Sequence, residues 1–181
     1  MFPRPMGAET SLITGPVALV DPVGVNVLHV ESANEMLLAC QSVLPADIAV
    51  CAAAVSDWRV ADAAPEKLKK DGNGPPPLAL AENPDILQSL SRVESRRPGL
   101  VVGFAAETEN VVQNAVAKRI RKGCDWILAN DVSSDTGTFG GDTNTVHFVN
   151  EKGVEDWPRL SKKEVANRLA SRIADHIGGA E

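Results

Sequence analysis

The sequence has 181 residues, a formal net charge of −6 and the apolar and charged content of an ordinary globular protein. An acidic chain without an apolar run of membrane-spanning length is expected to bind neither nucleic acid nor a membrane. The cysteines, Cys40, Cys51 and Cys124, are odd in number and lack zinc-ligand spacing, so we expect buried free thiols in a cytoplasmic protein.

The chain is predicted to fold as one domain over residues 11–181, preceded by an irregular tail over residues 1–10. Apolar runs bounded by turn residues predict strands, and apolar residues at helical spacing predict helices. The predicted strands cover residues 11–16, 25–30, 47–52, 78–81, 100–106 and 125–129. A hairpin is predicted from residues 145–149 and 154–160.

Helix ends are marked by capping residues. Ser32 with Glu35 has capping-box spacing and opens a helix that ends before Pro45, and Ser161 with Glu164 opens the final helix, which ends near residue 178. The remaining helices are predicted over residues 85–93, with Asn83 as N-cap and Pro84 at the first helical position, and from a Thr108 cap to Lys122, with Gly123 as terminator.

This alternation predicts an α/β fold, a three-layer, Rossmann-like arrangement with a mostly parallel sheet and a C-terminal antiparallel hairpin. In such sheets ligands bind outside the carboxyl ends of the strands. The strand over residues 47–52 is predicted to be buried and to present Asp57, Trp58 and Arg59 at that end. The small residues between them, Ala53 and Ala54, leave room for a substrate.

Other strand ends offer further polar or aromatic residues: Phe104 with Glu107, then Asn130 with Asp131. Lys118 and Lys122, spaced i, i+4, share a helix face and could reach one anion, although on spacing alone a cationic last turn that complements the helix dipole is the simpler explanation.

Two polar loops complete the set of candidates. Lys67, Lys69 and Lys70 form a basic loop that could close over an anion, or a solvated loop without function. The glycine- and threonine-rich loop over residues 133–144 is either a site rim or an ordinary surface loop.

No GxGxxG, Walker, HExxH or GxSxG motif is present, so the usual short signatures of dinucleotide, P-loop, zincin and hydrolase sites are absent. An aromatic ring, carboxylates able to hold a divalent metal, and several lysines together indicate a nucleoside triphosphate site.

From about residue 12 to residue 177 the chain resembles phosphopantothenoylcysteine synthetase, the carboxyl-terminal half of the bifunctional bacterial coenzyme A biosynthesis flavoprotein. The order and spacing of the matching stretches carry the resemblance. These are LITGPV, ESANEM, AAAVSDWR, APEKLKK, NPDIL, VGFAAET, KRIRKGCDWILANDVS and SKKEVA.

The resemblance implies a cytoplasmic ligase in which CTP activates 4'-phosphopantothenate to an acyl-cytidylate and cysteine then displaces CMP. It implies Mg²⁺, a homodimer and no flavin in this chain, with the flavin-dependent decarboxylase domain on another chain. It also implies Lys67 as the catalytic residue. The nucleotide-binding positions would be Asp57, Lys67, Ala81, Glu82, Asn83, Pro84, Phe104, Lys118 and Lys122. Asp57 would also be the metal ligand, and the substrate-binding positions would be Ala53, Ala54, Asn130 and Asp131.

Two departures from the family pattern affect this interpretation. Ser56 stands where alanine is commoner, which should be tolerated. The family's glycine-rich first strand and an asparagine that contacts the acyl-cytidylate should precede LITGPV, where only ten irregular residues stand. The resemblance therefore predicts that the first βα unit is missing, with a central strand and part of the phosphopantothenate pocket.

Two alternatives follow. One is a catalytically impaired nucleotide-binding or dimerisation module of the same family, which would bind CTP without releasing pyrophosphate. The other is an NAD-type dehydrogenase, which the missing glycine fingerprint disfavours.

Overall fold

The structure is a computed structural model that describes residues 7–62, 77–132 and 143–179. The described strands are β1 (Ser11–Thr14), β2 (Asn26–His29), β3 (Ile48–Cys51), β4 (Trp58–Val60), β5 (Leu80–Glu82), β6 (Leu100–Glu107), β7 (Trp126–Asp131), β8 (Thr143–Asn144), β9 (Val146–Asn150), β10 (Gly153–Asp156) and β11 (Leu160–Ser161). The described helices are α1 (Ala33–Ser42), α2 (Ile86–Ser91), α3 (Val111–Lys122) and α4 (Lys162–Gly178).

The central sheet has five strands in the order β10-β9-β7-β6-β3. The strands β3, β6 and β7 run parallel, and β9 pairs antiparallel with both β7 and β10. This mixed sheet confirms the predicted α/β class, the parallel majority and the antiparallel hairpin at one edge.

Helices cover both faces of this sheet. On one face Val165 and Leu169 of α4 pack with Trp126, Leu128 and Phe148. On the other face the opposite residues of the same strands pack against α2 and α3. Since β6 and β7 bury both faces, their sequences read as continuous apolar runs, and the three predicted layers are confirmed.

The capping predictions held at some helix ends and failed at others. Ser161 and Glu164 form the complete capping box of α4, and Gly123, with φ 75°, ends α3 as predicted. The predicted Asn83 cap is wrong, because the N-cap of α2 is Asp85, and the predicted Thr108 cap is wrong, because α3 begins after Asn110.

Strands β1 and β2 form within the predicted ranges 11–16 and 25–30. These strands form a separate parallel pair and are not hydrogen-bonded to the five-stranded sheet. β3 consequently lies at the sheet edge, and Val50 is 47% exposed, so the prediction of a buried strand was wrong.

Trp58 and Arg59 lie elsewhere than predicted. β3 ends at Cys51, and Trp58 and Arg59 belong to β4, which pairs antiparallel with β5. These two residues therefore lie on a small separate hairpin, whereas Asp57 ends the irregular segment that follows β3. Among the described helices, none is long and apolar enough to cross a bilayer.

Candidate functional site

A cleft of about 1120 Å³ opens between the β1–β2 pair and the five-stranded sheet. Its walls are β1, β3 and the irregular segment after β3, and its far end is closed by the start of α2 and the inner face of α3. The cleft lies beside the carboxyl end of β3, where an open α/β sheet binds ligands.

Most of the predicted site residues line this cleft. They are Ala53, Ala54, Asp57, Glu82, Asn83, Pro84, Phe104, Lys118 and Lys122. Ala81, Asn130 and Asp131 do not line it, and Lys67, Lys69 and Lys70 lie outside the described residues.

Asn83, directly after β5, ties its segment to the residues directly before β4. Its backbone N–H donates to the Asp57 carbonyl at 2.8 Å, and its Nδ2 donates to the Ser56 carbonyl at 2.9 Å. Arg59 also donates to the Glu82 carbonyl. These bonds explain why Asn83 does not cap α2: its side chain is used to fix the segment that carries Asp57.

Lys118 points from α3 to the carbonyl of Phe104, with an Nζ to O distance of 2.9 Å. That carbonyl is available because β3 pairs with β6 only as far as Gly103, so Phe104 has no β3 neighbour. Burial and the nearby charges of Lys122 and Arg121 hold the pKa of Lys118 below its ordinary value, against the opposing effect of Glu107. A half-buried cation in this position is stabilised when an anion binds beside it.

Lys122 forms an ion pair with Asp85. The other Asp85 oxygen accepts from the Gln88 N–H at 2.9 Å and so caps α2. Partial burial raises the pKa of Asp85, but the hydrogen bonds from Lys122 and Gln88 outweigh it, and the pKa lies below its ordinary value. Asp85 was missed as a site residue, although its three-residue spacing to Gln88 is that of an N-cap.

Three predicted positions lie away from the cleft. Ala81 sits within β5 opposite Arg59, and Asn130 and Asp131 end β7 opposite Ala106 and Glu107. The buried Asn130 Oδ1 has no hydrogen-bond partner among the described residues. The end of β7 thus lies outside the cleft lining.

The described residues include no cluster of three or more histidine, cysteine or acidic side chains that could hold a metal alone. Magnesium in nucleotide sites is usually held by one or two carboxylates together with the phosphates. Asp57, which lines the cleft, fits that mode as a single carboxylate.

The cysteines are free thiols, as predicted, and Cys124 is buried, whereas Cys40 and Cys51 are only partly buried. Burial raises the pKa of Cys51 to about 12 and that of Cys124 to about 11. Although Cys40 and Cys51 line the cleft, such thiols are poor nucleophiles at neutral pH.

Residues 3–177 match the family model described as "DNA/pantothenate metabolism flavoprotein C-terminal domain". The chain is 42% identical over 166 residues to the coenzyme A biosynthesis bifunctional protein CoaBC of Escherichia coli, covering 90% of this chain and 40% of that protein. It is 40% identical to CoaBC of Mycobacterium tuberculosis, covering 94% and 42% respectively. The chain thus spans about two fifths of these relatives.

A crystal structure of the C-terminal domain of CoaBC superposes with a TM-score of 0.77 at 32% identity, covering 96% of this chain and 77% of that one. A DNA/pantothenate metabolism flavoprotein from Streptococcus pneumoniae, at 19% identity and a TM-score of 0.74, shares the fold. As its resemblance to the synthetase half of the coenzyme A biosynthesis flavoprotein predicted, the chain belongs to the DNA/pantothenate metabolism flavoprotein C-terminal domain family.

Proposed function

We propose that the chain is a phosphopantothenate-cysteine ligase that uses CTP in coenzyme A biosynthesis. The observation that carries this proposal is the convergence of Lys118, Lys122, Phe104 and Asp57 on one cleft beside the carboxyl end of β3. Cations, an aromatic ring and a carboxylate in one cleft suit a nucleoside triphosphate.

The reaction has two steps. A carboxylate oxygen of 4'-phosphopantothenate attacks the α-phosphorus of CTP, the bond to the β-phosphate breaks, and pyrophosphate leaves. The cysteine nitrogen then attacks the acyl carbon, the bond to CMP breaks, and the nitrogen loses a proton. The activation is needed because a free carboxylate is a poor electrophile.

Lys118 and Lys122 would bind phosphate oxygens. Lys118 now donates to a neutral carbonyl, and Lys122 is paired with Asp85, so both would exchange these contacts for phosphate. A charge-assisted contact contributes about 1.5–3 kcal/mol. Phe104, partly buried beside the cleft, would pack near the nucleoside.

Asp57 would supply the carboxylate for magnesium, which would enter with the triphosphate and neutralise phosphate charge when bound. The Asn83 hydrogen bonds fix the backbone on each side of Asp57 and so restrict where its carboxylate can reach. Lys67, which lies outside the described residues, remains the proposed catalytic residue, a cation that would offset charge developing on the α-phosphate.

Pyrophosphate release with magnesium, CTP and 4'-phosphopantothenate, with and without cysteine, tests the proposal. CTP-dependent release is expected, with amide product only when cysteine is present. Lys67→Gln is expected to abolish release in a protein whose circular dichroism is unchanged, and normal turnover by this variant would remove Lys67 from the mechanism.

The same assay separates the alternatives. Saturable CTP binding without pyrophosphate release would contradict the ligase and favour a nucleotide-binding or dimerisation module. Release with ATP in place of CTP would change the nucleotide but keep the reaction class. Binding of NAD in preference to CTP would favour a dehydrogenase.

A further inference from the structure

Glu107, the last residue of β6, is a carboxylate to which the proposed mechanism gives no role. It is partly buried, and it does not line the cleft. Because alternate residues of a strand face the same side, its side chain shares a sheet face with Val101 and Ala105, which pack with Ala115 of α3. Glu107 therefore faces α3 from outside the cleft.

Two side chains of α3 reach the end of β6. Asn114 Nδ2 donates to Glu107 Oε2 at 3.2 Å and to the Glu109 carbonyl at 3.0 Å. Lys118, four residues later, donates to the Phe104 carbonyl. Residues four apart share a helix face, so the Glu107 carboxylate and the Lys118 ammonium lie along the same line of contact between α3 and β6.

The start of α3 gives this carboxylate one structural role. The N-cap, Asn110, has a left-handed φ of 48°, and its side chain makes no capping hydrogen bond. The first turn of α3 contains no acidic residue. A negative charge near a helix N-terminus is stabilising, so Glu107 supplies from β6 the charge that the first turn lacks.

Lys118 is surrounded by titratable groups that indicate a second role. They are Lys122 and Arg121 on α3, Glu107 on β6, Asp85 at the start of α2, and the Cys124 thiol. Burial lowers the pKa of Lys118 most, and the two neighbouring cations lower it further. Of the groups that raise this pKa, Glu107 has the largest effect and Asp85 a smaller one. Glu107 is therefore the main counter-charge of Lys118.

The two lysines of the cleft thus have different carboxylate partners. Lys122 contacts Asp85, which lines the cleft and competes there with an incoming anion. Glu107 acts on Lys118 from outside the cleft, so it favours the charged ammonium without occupying the space of a ligand. Asp131 lies opposite Glu107 on β7, on the side of β6 away from β3.

We propose that Glu107 is a positioning residue that acts through Lys118: its carboxylate favours the charged ammonium at the end of the cleft, where a phosphate group of the nucleotide would bind. This inference rests on the proposed function. Glu107 itself would touch neither the nucleotide nor the substrates. A purely structural role at the start of α3 is the alternative, and the two roles predict opposite results for two substitutions at this position.

The first measurement needs no nucleotide. Acetylation of Lys118 by acetic anhydride, followed by mass spectrometry, reports the fraction of uncharged amine at each pH. Glu107→Gln removes the charge but keeps an oxygen that accepts from Asn114, and Lys118 should then react roughly threefold faster or more at pH 8. Glu109→Gln, which removes the same charge from an exposed neighbour, is the control and should react like the unsubstituted chain.

Glu107→Asp makes the opposite change, because it keeps the charge and shortens the side chain. If the charge matters, Lys118 should react in Glu107→Asp at close to the original rate, and Glu107→Gln should be the faster variant. If only the hydrogen bond to Asn114 matters, Glu107→Gln should resemble the unsubstituted chain and Glu107→Asp should not. That second pattern would overturn the proposal.

Titration with CTP and magnesium between pH 7 and about 9.5 measures the consequence for binding. Binding should weaken as the pH rises and Lys118 loses its proton, and in Glu107→Gln this weakening should begin at a lower pH than in the unsubstituted chain. Weakening at the same pH in both proteins would overturn the proposal. Faster acetylation in Glu107→Gln, combined with no saturable CTP binding by the unsubstituted chain, would confirm the effect of Glu107 on Lys118 and contradict the proposed function instead.

Discussion

Lys122 near the end of α3 forms an ion pair with Asp85, the N-cap of α2. The pair joins two helices that cover the same face of the sheet, and it places a carboxylate beside a cation that the proposed function assigns to phosphate. Asp85 therefore competes with any anion that enters the cleft, and this competition can be measured.

Asp85→Asn is expected to strengthen CTP binding by roughly 3–10-fold, because Lys122 loses its competing partner and the cleft loses a negative charge. Asparagine still accepts the Gln88 N–H, so the cap of α2 should persist. Isothermal titration with CTP measures the effect, and Glu94→Gln, an exposed carboxylate outside the cleft, is the control. Weaker binding by Asp85→Asn would show that Asp85 orients Lys122 and does not compete for it.

The same substitution should lower stability in a pH-dependent way. The folded-state pKa of Asp85 is lower than its unfolded-state pKa of about 3.9. Asp85 therefore stabilises the fold fully above about pH 3.9, and this stabilisation is lost as the pH falls through the folded-state pKa. For this partly exposed pair we expect a loss of about 0.5–1 kcal/mol at pH 7. Urea denaturation at pH 7 and at successively lower pH tests this, and a difference independent of pH would contradict the assignment. Asp85→Ala also removes the N-cap hydrogen bond of α2, so its free energy of unfolding should fall by about 1 kcal/mol more than that of Asp85→Asn.

Gly103→Ala should destabilise the centre of the sheet. An added Cβ would lie 2.6 Å from Leu87 Cδ2 and 2.8 Å from Ile127 Cδ1, so these packed side chains would have to shift. We expect a loss of about 1–3 kcal/mol in the free energy of unfolding, measured by urea denaturation. Gly178→Ala, where the Cβ meets nothing within 4 Å, is the matched control and should be neutral or slightly stabilising. Equal effects at the two sites would contradict the packing.

The thiols should react slowly at neutral pH. Burial raises the pKa of Cys51 to about 12 and of Cys124 to about 11, so the thiolate fraction stays small until the pH approaches those values. Iodoacetamide labelling followed by mass spectrometry should show rates that still increase above pH 9 in the folded protein. A plateau near pH 8.5 at Cys51, as for an exposed thiol, would contradict its burial.

The sequence predicted the elements that depend on local signals. The continuous apolar runs of β6 and β7 are typical of strands buried on both faces, and the Ser161–Glu164 pair both starts and caps α4. Gly123 ends α3 because its φ of 75° suits a residue without a side chain.

The remainder depends on contacts that are distant in the chain. Asn83 has a favourable N-cap sequence, but its side chain donates to the carbonyl of Ser56, which lies 27 residues away in the chain. Asp85 is the N-cap of α2 instead. The Asp85–Lys122 pair spans 37 residues and has no periodic signature. The separation of the β1–β2 pair from β3 likewise has no local signature, since each strand has an ordinary local pattern.

The central claim is that the lysines at the end of the cleft bind the triphosphate of CTP, and titration of the chain with CTP and magnesium, followed by calorimetry, tests it most directly. Lys118→Gln should weaken binding by roughly 10–100-fold. Lys152→Gln, in the exposed turn between β9 and β10, should bind like the unsubstituted chain. The account would be contradicted if Lys118→Gln bound CTP as tightly as Lys152→Gln. It would also be contradicted if the unsubstituted chain showed no saturable CTP binding.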